Sequence, residues 1–221
     1  WCLHGTDRQR ARYSNQAFNK GISASVFNAN KTITPAIGGG YYLRRFFIFA
    51  LMEEQVILVD TNDNPIGLMP KMKAHKKGLL HRAFSVFVFN KEGQVMLQQR
   101  AAHKYHSPLL WTNTCCSHPR DNETIEEAGV RRLEEEMGFS TELKKVGHFI
   151  YRAPFDNGLI EHELDHILIG YFDDEPQINT DEVAAWKWMY PEDIRIDIEK
   201  NPNNYTVWFV IIFEKFYDLI Q

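Results

Sequence analysis

Cysteine is scarce in this 221-residue chain: Cys2, Cys115 and Cys116 are all there are. Neighbouring Cys115 and Cys116 are poorly placed to bridge each other, so no disulfide framework is expected. A reducing compartment, the cytoplasm, is the expected location. No apolar run approaches the roughly 18 residues of a membrane span, so no membrane partner is expected. The net charge of -4 lacks the basic excess of a nucleic-acid binder. Internal repeats and low-complexity tracts are absent as well. What is present is 44% hydrophobic residues, enough for one well-packed domain.

Methionine is missing from residues 1–51, and Met52 is the first in the chain. That segment shows little amphipathic period, is broken by Gly38-Gly39-Gly40, and then runs into the apolar block around Phe46. A coherent pattern starts directly after Met52. The expected organisation is therefore a non-native or disordered extension over 1–51 and one domain over 52–221. A targeting peptide is the alternative: Arg8, Arg10, Arg12 and Ser14 suit one, whereas the apolar block near Phe46 is misplaced for it.

The most informative stretch is Trp111-Thr112-Asn113-Thr114-Cys115-Cys116-Ser117-His118-Pro119. Pro108 and Pro119 argue against a helix. In an extended chain Cys116 and His118 point to one side and Cys115 to the other. A thiol beside an imidazole can be a nucleophile with its base, an acid/base pair, or half of a metal site. The plain reading is a buried cysteine pair next to a surface histidine.

Around this stretch the pattern alternates strands and helices. Strands are expected at Val56–Val59 and Ile66–Met69, joined by the polar turn Asp60–Pro65. Lys71, Lys73, His75, Lys76, Lys77 and His81 form a basic stretch broken by Gly78: a solvated loop, or a platform for a metal and an anion. Ala83–Phe89 and Val95–Arg100 flank Asn90-Lys91-Glu92-Gly93 and read as a hairpin. Glu123–Gly138 reads as a helix, with a Thr124/Glu127 capping box, Gly138 as its stop, and Val130, Leu133 and Met137 as its apolar stripe. Strands are expected again at Val146–Arg152, His162–Phe172 and Ala184–Tyr190, and a short helix from Pro191. Asn201–Asn204 should break the chain and cap a last helix with Tyr205, Trp208, Phe209, Ile212, Phe213, Phe216 and Ile220 at helical spacing. Trp208 can reach a pocket from the first turn of that helix. These elements predict an α+β fold, an α/β/α sandwich with a mixed β-sheet.

Two carboxylates stand out. Glu161 and Glu163 are i and i+2, so a strand aims both the same way. Paired like charges on one sheet face destabilise it unless a cation or a proton neutralises them. A metal or an acid/base site is expected there.

The Glu-rich helix resembles a Nudix box. Arg131, Leu133, Glu135, Glu136, Gly138 and Phe139 fit its core, and Glu123 fits its upstream acidic position. Ser117 replaces the leading Gly and Arg132 the first Glu of the Arg-Glu pair. Nudix hydrolases cluster helix carboxylates around several Mg²⁺ ions, and a guanidinium in the cluster weakens it. With Lys77–Phe87, Gln98-Gln99-Arg100, Thr112–Pro119 and Glu161–Asp165 included, roughly residues 54–221 resemble the type 1 isopentenyl-diphosphate isomerase family.

That resemblance implies interconversion of isopentenyl and dimethylallyl diphosphate by one protonation and one deprotonation. It implies His75, His81, His118, Glu161 and Glu163 as ligands of a divalent metal, Zn²⁺ or Mn²⁺ by donor type. It implies Mg²⁺ at Glu136 with the diphosphate, assisted by the Cys116 carbonyl. Lys71, Arg100, Lys104, Ser117 and Arg132 would contact the diphosphate. Cys116 and Glu163 would carry the protons, with Trp208 against the cationic intermediate and Tyr151 at its border. A hydrolase of another diphosphate, a non-catalytic ligand-binding Nudix domain, and a structural zinc site at Cys115, Cys116, His118 and His81 are the rival readings.

Overall fold

The structure, a computed structural model, describes residues 53–219. The segment 1–51, the expected boundary at Met52 and the end of the last helical stripe at Ile220 lie outside them.

β1 (Gln55–Val59) and β2 (Pro65–Pro70) pair antiparallel. Their turn is held by Asp60, whose Oδ1 accepts from the amides of Asn62 and Asn64 at 2.9 Å each. Asp63, in the left-handed region at φ 64°, is pinned by Arg82: Nε donates to Oδ1 and Nη2 to the carbonyl, both at 2.7 Å. His166, buried beneath, sets Nε2 3.1 Å from Asp63 Oδ2.

The basic stretch after β2 is a helix rather than a loop: α1 spans Lys71–Lys77. Its N-cap is Pro70, and Gly78 closes it at φ 59°, a conformation that costs glycine little. Lys73, Lys76 and Lys77 face out, Lys71 is half-buried, and Ala74 and His75 are buried. Two inward positions in seven are too few for a period to announce them.

β3 (His81–Phe89) and β4 (Val95–Arg100) are joined by the expected turn, yet they are not the expected hairpin. They share the single pair Phe89↔Val95 and then part. The Trp111–Ser117 stretch enters the gap, with β5 (Trp111–Thr112) pairing β4 and β6 (Cys115–Ser117) pairing β3. Thr114 joins the two sides. Its Oγ1 accepts from Val88 N at 2.9 Å and donates to Met96 O at 2.7 Å. The opposite edge of each strand takes a further partner. β3 runs parallel to β8 (Ile160–Tyr171) from His81↔Glu163 to Phe89↔Tyr171. β4 pairs antiparallel with β9 (Val183–Met189), and β7 (Lys144–Pro154) with β8.

The mixed sheet is covered on both faces. Against one lies α2 (Ile125–Met137), whose Leu133 and Met137 meet Phe84, Val86, Val88, Met96, Cys115 and Leu168. The capping box at Thr124 and Glu127 and the Gly138 stop are as expected. Against the other lie α3 (Pro191–Lys200) and α4 (Val207–Phe216), packed on Phe87, Phe89, Leu97 and Ile167. This is the expected α/β/α sandwich. Asn201–Asn204 does not cap α4. Pro202–Asn204 forms a 3-10 turn, and Thr206 precedes the helix with its hydroxyl donating to Thr112 Oγ1 at 3.0 Å. Among the described residues no helix is long and apolar enough to cross a membrane.

Thr114→Val keeps the shape of the side chain but leaves a buried amide and a buried carbonyl without their partner. The expected cost is about 2–4 kcal/mol, read as a lower urea midpoint with unchanged slope. A wild-type midpoint would contradict the joining role of Thr114. Burial lowers His166 to about 4 from 6.5. The unfolded chain therefore binds a proton that the folded chain refuses, so stability is full above 6.5 and falls as pH drops toward 4. Between pH 7 and 5 the loss from this group is about 2 kcal/mol. His166→Asn should flatten that slope in urea titrations at the two pH values; an unchanged slope would assign it elsewhere.

Candidate active site

Strand alternation along β8 puts Glu161, Glu163 and Asp165 on one face. His81 is the register partner of Glu163. α1 supplies His75, and the chain leaving β6 supplies His118. One ligand atom from each of His75, His81, His118 and Glu163 lies within 4.8 Å of the others, and all four residues are buried. Glu163 Oε1 is 3.1 Å from His118 Nε2, 3.4 Å from His81 Nε2 and 3.8 Å from His75 Nε2. His81 Nδ1 lies 2.8 Å from the Leu79 carbonyl, which fixes the proton on Nδ1 and turns the Nε2 lone pair to the centre. His75 Nδ1 and Nε2, His81 Nε2 and His118 Nδ1 are buried without a hydrogen-bond partner. Such atoms are costly unless something else satisfies them. Three imidazoles and one carboxylate around a common point form a site able to hold a divalent cation. Burial would raise Glu163, but the imidazoles outweigh it and hold its carboxyl well below the usual range. Burial takes His118 down to about 4, partly opposed by Glu163.

Glu161, expected as a fifth ligand, is outside this group of four. Its Oε1 is 3.1 Å from His106 Nε2, and its Oε2 accepts from the Tyr151 hydroxyl at 3.0 Å. That same hydroxyl is 2.7 Å from Glu163 Oε2. The physical reason is the like-charge problem. Burial and then the charge of Glu163 push Glu161 well above the ordinary carboxyl range, so it keeps its proton while Glu163 ionises. His106, lowered to about 3 by burial, is neutral and free to accept that proton's hydrogen bond. Sequence reasoning missed His106. It sits in an irregular loop with no period, and a histidine there carries no mark of burial. Asp165 carries no such mark in the sequence either. It accepts from Ser85 Oγ at 2.8 Å and is raised by burial and by Glu163.

The two cysteines take opposite faces, as alternation predicts. Cys115 is packed among Ile125, Ala128 and Leu133 beneath α2. Cys116 packs toward the α4 side and lines a cavity with Tyr151, Trp208, Glu161 and Glu163. Burial pushes its thiol up to about 12. Trp208 does reach the cavity from the first turn of α4.

Lys71, Arg100, Lys104, Ser117 and Arg132 line the same cavity. Its enclosed part is small, about 70 Å³, and it shares Lys71, Lys104, Ser117 and Arg132 with an outer vestibule of about 510 Å³. Each cation already has a partner. Lys71 pairs with Glu54 at 3.1 Å, and Lys104 with Glu182. Arg100 donates to the carbonyls of Ser107 and His106 at 3.2 and 3.3 Å. Arg132 and Glu136, expected to serve an anion and a cation separately, pair with each other: Nε donates to Oε1 at 3.1 Å. Gln98 holds the other oxygen of Glu136 at 2.9 Å. A cation at Glu136 would compete with Arg132 for Oε1 and with Gln98 for Oε2. The residue that departs from the Nudix pattern thus neutralises the carboxylate beside it.

Residues 79–209 match the NUDIX domain model, which sets the class of the protein. A crystal structure from Deinococcus radiodurans agrees on the fold: TM-score 0.56, 21% identity, covering 67% of this chain and 90% of that one. So does the MutT protein of Methanosarcina mazei, at TM-score 0.53 and 15% identity, covering 63% of this chain and 94% of that one. Within that class the chain belongs to the isopentenyl-diphosphate Delta-isomerase family. It is 56% identical to the Photorhabdus laumondii isopentenyl-diphosphate Delta-isomerase 2 over 72% of this chain and 89% of that protein. It is 51% identical to the Aromatoleum aromaticum isopentenyl-diphosphate Delta-isomerase 2 over 74% of this chain and 87% of that one.

Calorimetric titration of the chelated protein with Zn²⁺ or Mn²⁺ should give one tight site. His81→Ala should weaken it at least tenfold, a loss of about 1.4 kcal/mol or more. Tight binding undisturbed by that change would place the ion elsewhere.

Proposed function

We propose that the chain interconverts isopentenyl diphosphate and dimethylallyl diphosphate by a 1,3-shift of the double bond. The observation that carries this is a thiol and a carboxyl group, Cys116 and Glu163, lining one buried cavity together with an indole and a set of cations. The family membership supports it.

The shift needs a proton added at the terminal alkene carbon and another removed from the allylic carbon, so protons and charge balance over the turnover. Cys116 and Glu163 are the two groups. The one that gives a proton in the forward direction takes it in reverse. The Tyr151 hydroxyl lies between the two carboxyl groups, 2.7 Å from Glu163 Oε2 and 3.0 Å from Glu161 Oε2, and would hold Glu163 in place for the transfer. Between the two transfers the substrate has tertiary carbocation character. The face of Trp208 suits such a charge, and the Arg100 guanidinium already lies 5.3 Å from its ring centre. Burial excludes the water that would trap the cation.

Lys71, Arg100, Lys104, Arg132 and Ser117 would bind the diphosphate, with Lys71, Lys104 and Arg132 exchanging their carboxylate partners for phosphate oxygens. His75, His81, His118 and Glu163 would hold Zn²⁺ or Mn²⁺, which when bound would tune the proton affinity of Glu163. Mg²⁺ would arrive with the diphosphate at Glu136. Glu161 supports this site through hydrogen bonds in the geometry seen here. The free thiols Cys115 and Cys116 suit the cytoplasm. A small diphosphate is the partner; no nucleic acid or membrane is proposed.

The full chain with isopentenyl diphosphate and divalent metal in D₂O should yield deuterated dimethylallyl diphosphate by NMR. Released phosphate, or recovered substrate without deuterium, would reject the isomerase. Cys116→Ser should lower kcat at least a hundredfold, while Cys115→Ser keeps kcat and costs about 1–2 kcal/mol of stability through its buried hydroxyl. Equal losses of kcat would contradict the assignment of faces.

A further inference from the structure

Asn113 has no role in the chemistry above, yet its side chain is wholly buried and fully engaged. Its Nδ2 donates to the carbonyls of Val86 at 3.2 Å and Cys115 at 2.5 Å. Its Oδ1 accepts from Thr112 Oγ1 at 2.8 Å and from Trp208 Nε1 at 3.2 Å. All four hydrogen-bonding capacities of the amide are therefore used. Those partners also fix which way the amide points, because oxygen could not face two carbonyls.

The bond to Trp208 is the instructive one. Most of an indole can pack in several orientations, but it has a single N–H, and burial makes an unpartnered one costly. Thr206 stitches the start of α4 to the same place, since its amide donates to Trp111 O at 3.0 Å and its hydroxyl to Thr112. The relay Thr206, Thr112, Asn113 and Trp208 thus sets both the position of the first helical turn and the rotation of the ring. The same amide grips the carbonyl just before Cys116.

We infer that Asn113 is a positioning residue for the isomerisation: its amide holds the Trp208 indole in the one rotation that presents the ring to the reacting carbons. This rests on the proposed isomerase activity. A ring displaced by about 1 Å, or turned, would lose cation stabilisation while the diphosphate contacts stayed intact. The expected effect of Asn113→Ala is thus a tenfold or greater fall in kcat with KM within twofold. In a Trp208→Phe background, where no N–H remains to be held, Asn113→Ala should add less than a further twofold.

The hydrogen bond can also be read without substrate. In a ¹H–¹⁵N spectrum of the full chain, with the Trp208 indole signal assigned by its loss in Trp208→Phe, that N–H should be protected from solvent exchange. It should shift and lose protection in Asn113→Ala. Asn113→Asp keeps an acceptor for the indole N–H but sets its second oxygen against the carbonyls of Val86 and Cys115, so it should keep the protected signal while losing stability. If the alanine variant fails to fold, the protection of the native indole N–H and the kcat of Trp208→Phe still decide the inference. An unprotected indole N–H in the native protein would overturn the inference. So would a loss in Asn113→Ala that simply multiplies with that of Trp208→Phe, or an unchanged kcat in Trp208→Phe. Absence of isomerase activity in the native chain would sink the functional reading instead and leave the spectrum to decide the hydrogen bond.

Discussion

The interaction on which the rest depends is the insertion of the Trp111–Ser117 stretch between β3 and β4. Thr114 and Asn113 fasten it with side-chain hydrogen bonds to the backbone of Val86, Val88 and Met96. A two-residue strand and a three-residue strand have little pairing of their own. Buried side-chain bonds supply what the ladder lacks, because each replaces a backbone partner that neither strand can find in the other. On their opposite edges β3 pairs with β8 and β4 with β9. His81 and Glu163 then become register partners, Cys116 and Cys115 fall on opposite faces, and His118 emerges at the cavity edge.

The cavity this creates is electrostatically sorted. Deep inside, burial raises the Cys116 thiol and the Glu161 carboxyl, while the imidazoles around Glu163 lower its carboxyl. At the mouth, Lys71, Lys104 and Arg132 each face a carboxylate. The groups proposed to move protons are thus separated from those proposed to bind an anion. Arg132 marks the separation. Where a hydrolase clusters carboxylates to gather several cations, this helix folds a guanidinium onto Glu136.

The sequence was legible wherever a local rule sufficed. Thr124, Glu127 and Gly138 carried their cap signals, the apolar period placed α2 and α4, and alternation put Glu161 with Glu163 and Cys115 opposite Cys116. It misled where neighbours decided. Val95–Arg100 looks like the second arm of a hairpin because its turn residues are sound; the inserted stretch, more than ten residues downstream, takes most of that pairing away. α1 is too short for its period to rise above its lysines. Glu161 and Glu163 look equivalent in a strand, and His106, contributed by another loop, lets one keep a proton while the other faces the imidazoles.

By itself, then, the sequence determined the inventory and the faces: which thiol, carboxylates, imidazoles and cations exist, and which side of each element they occupy. These follow from backbone periodicity, a property of a few consecutive residues. The tertiary structure alone decided which of them meet. Asn113 and Trp208 are 95 positions apart and Ser85 and Asp165 are 80 apart, so no local rule links them. Their pairing follows from strand register and from the cost of leaving a buried polar group without a partner, and both are settled only when the layers close.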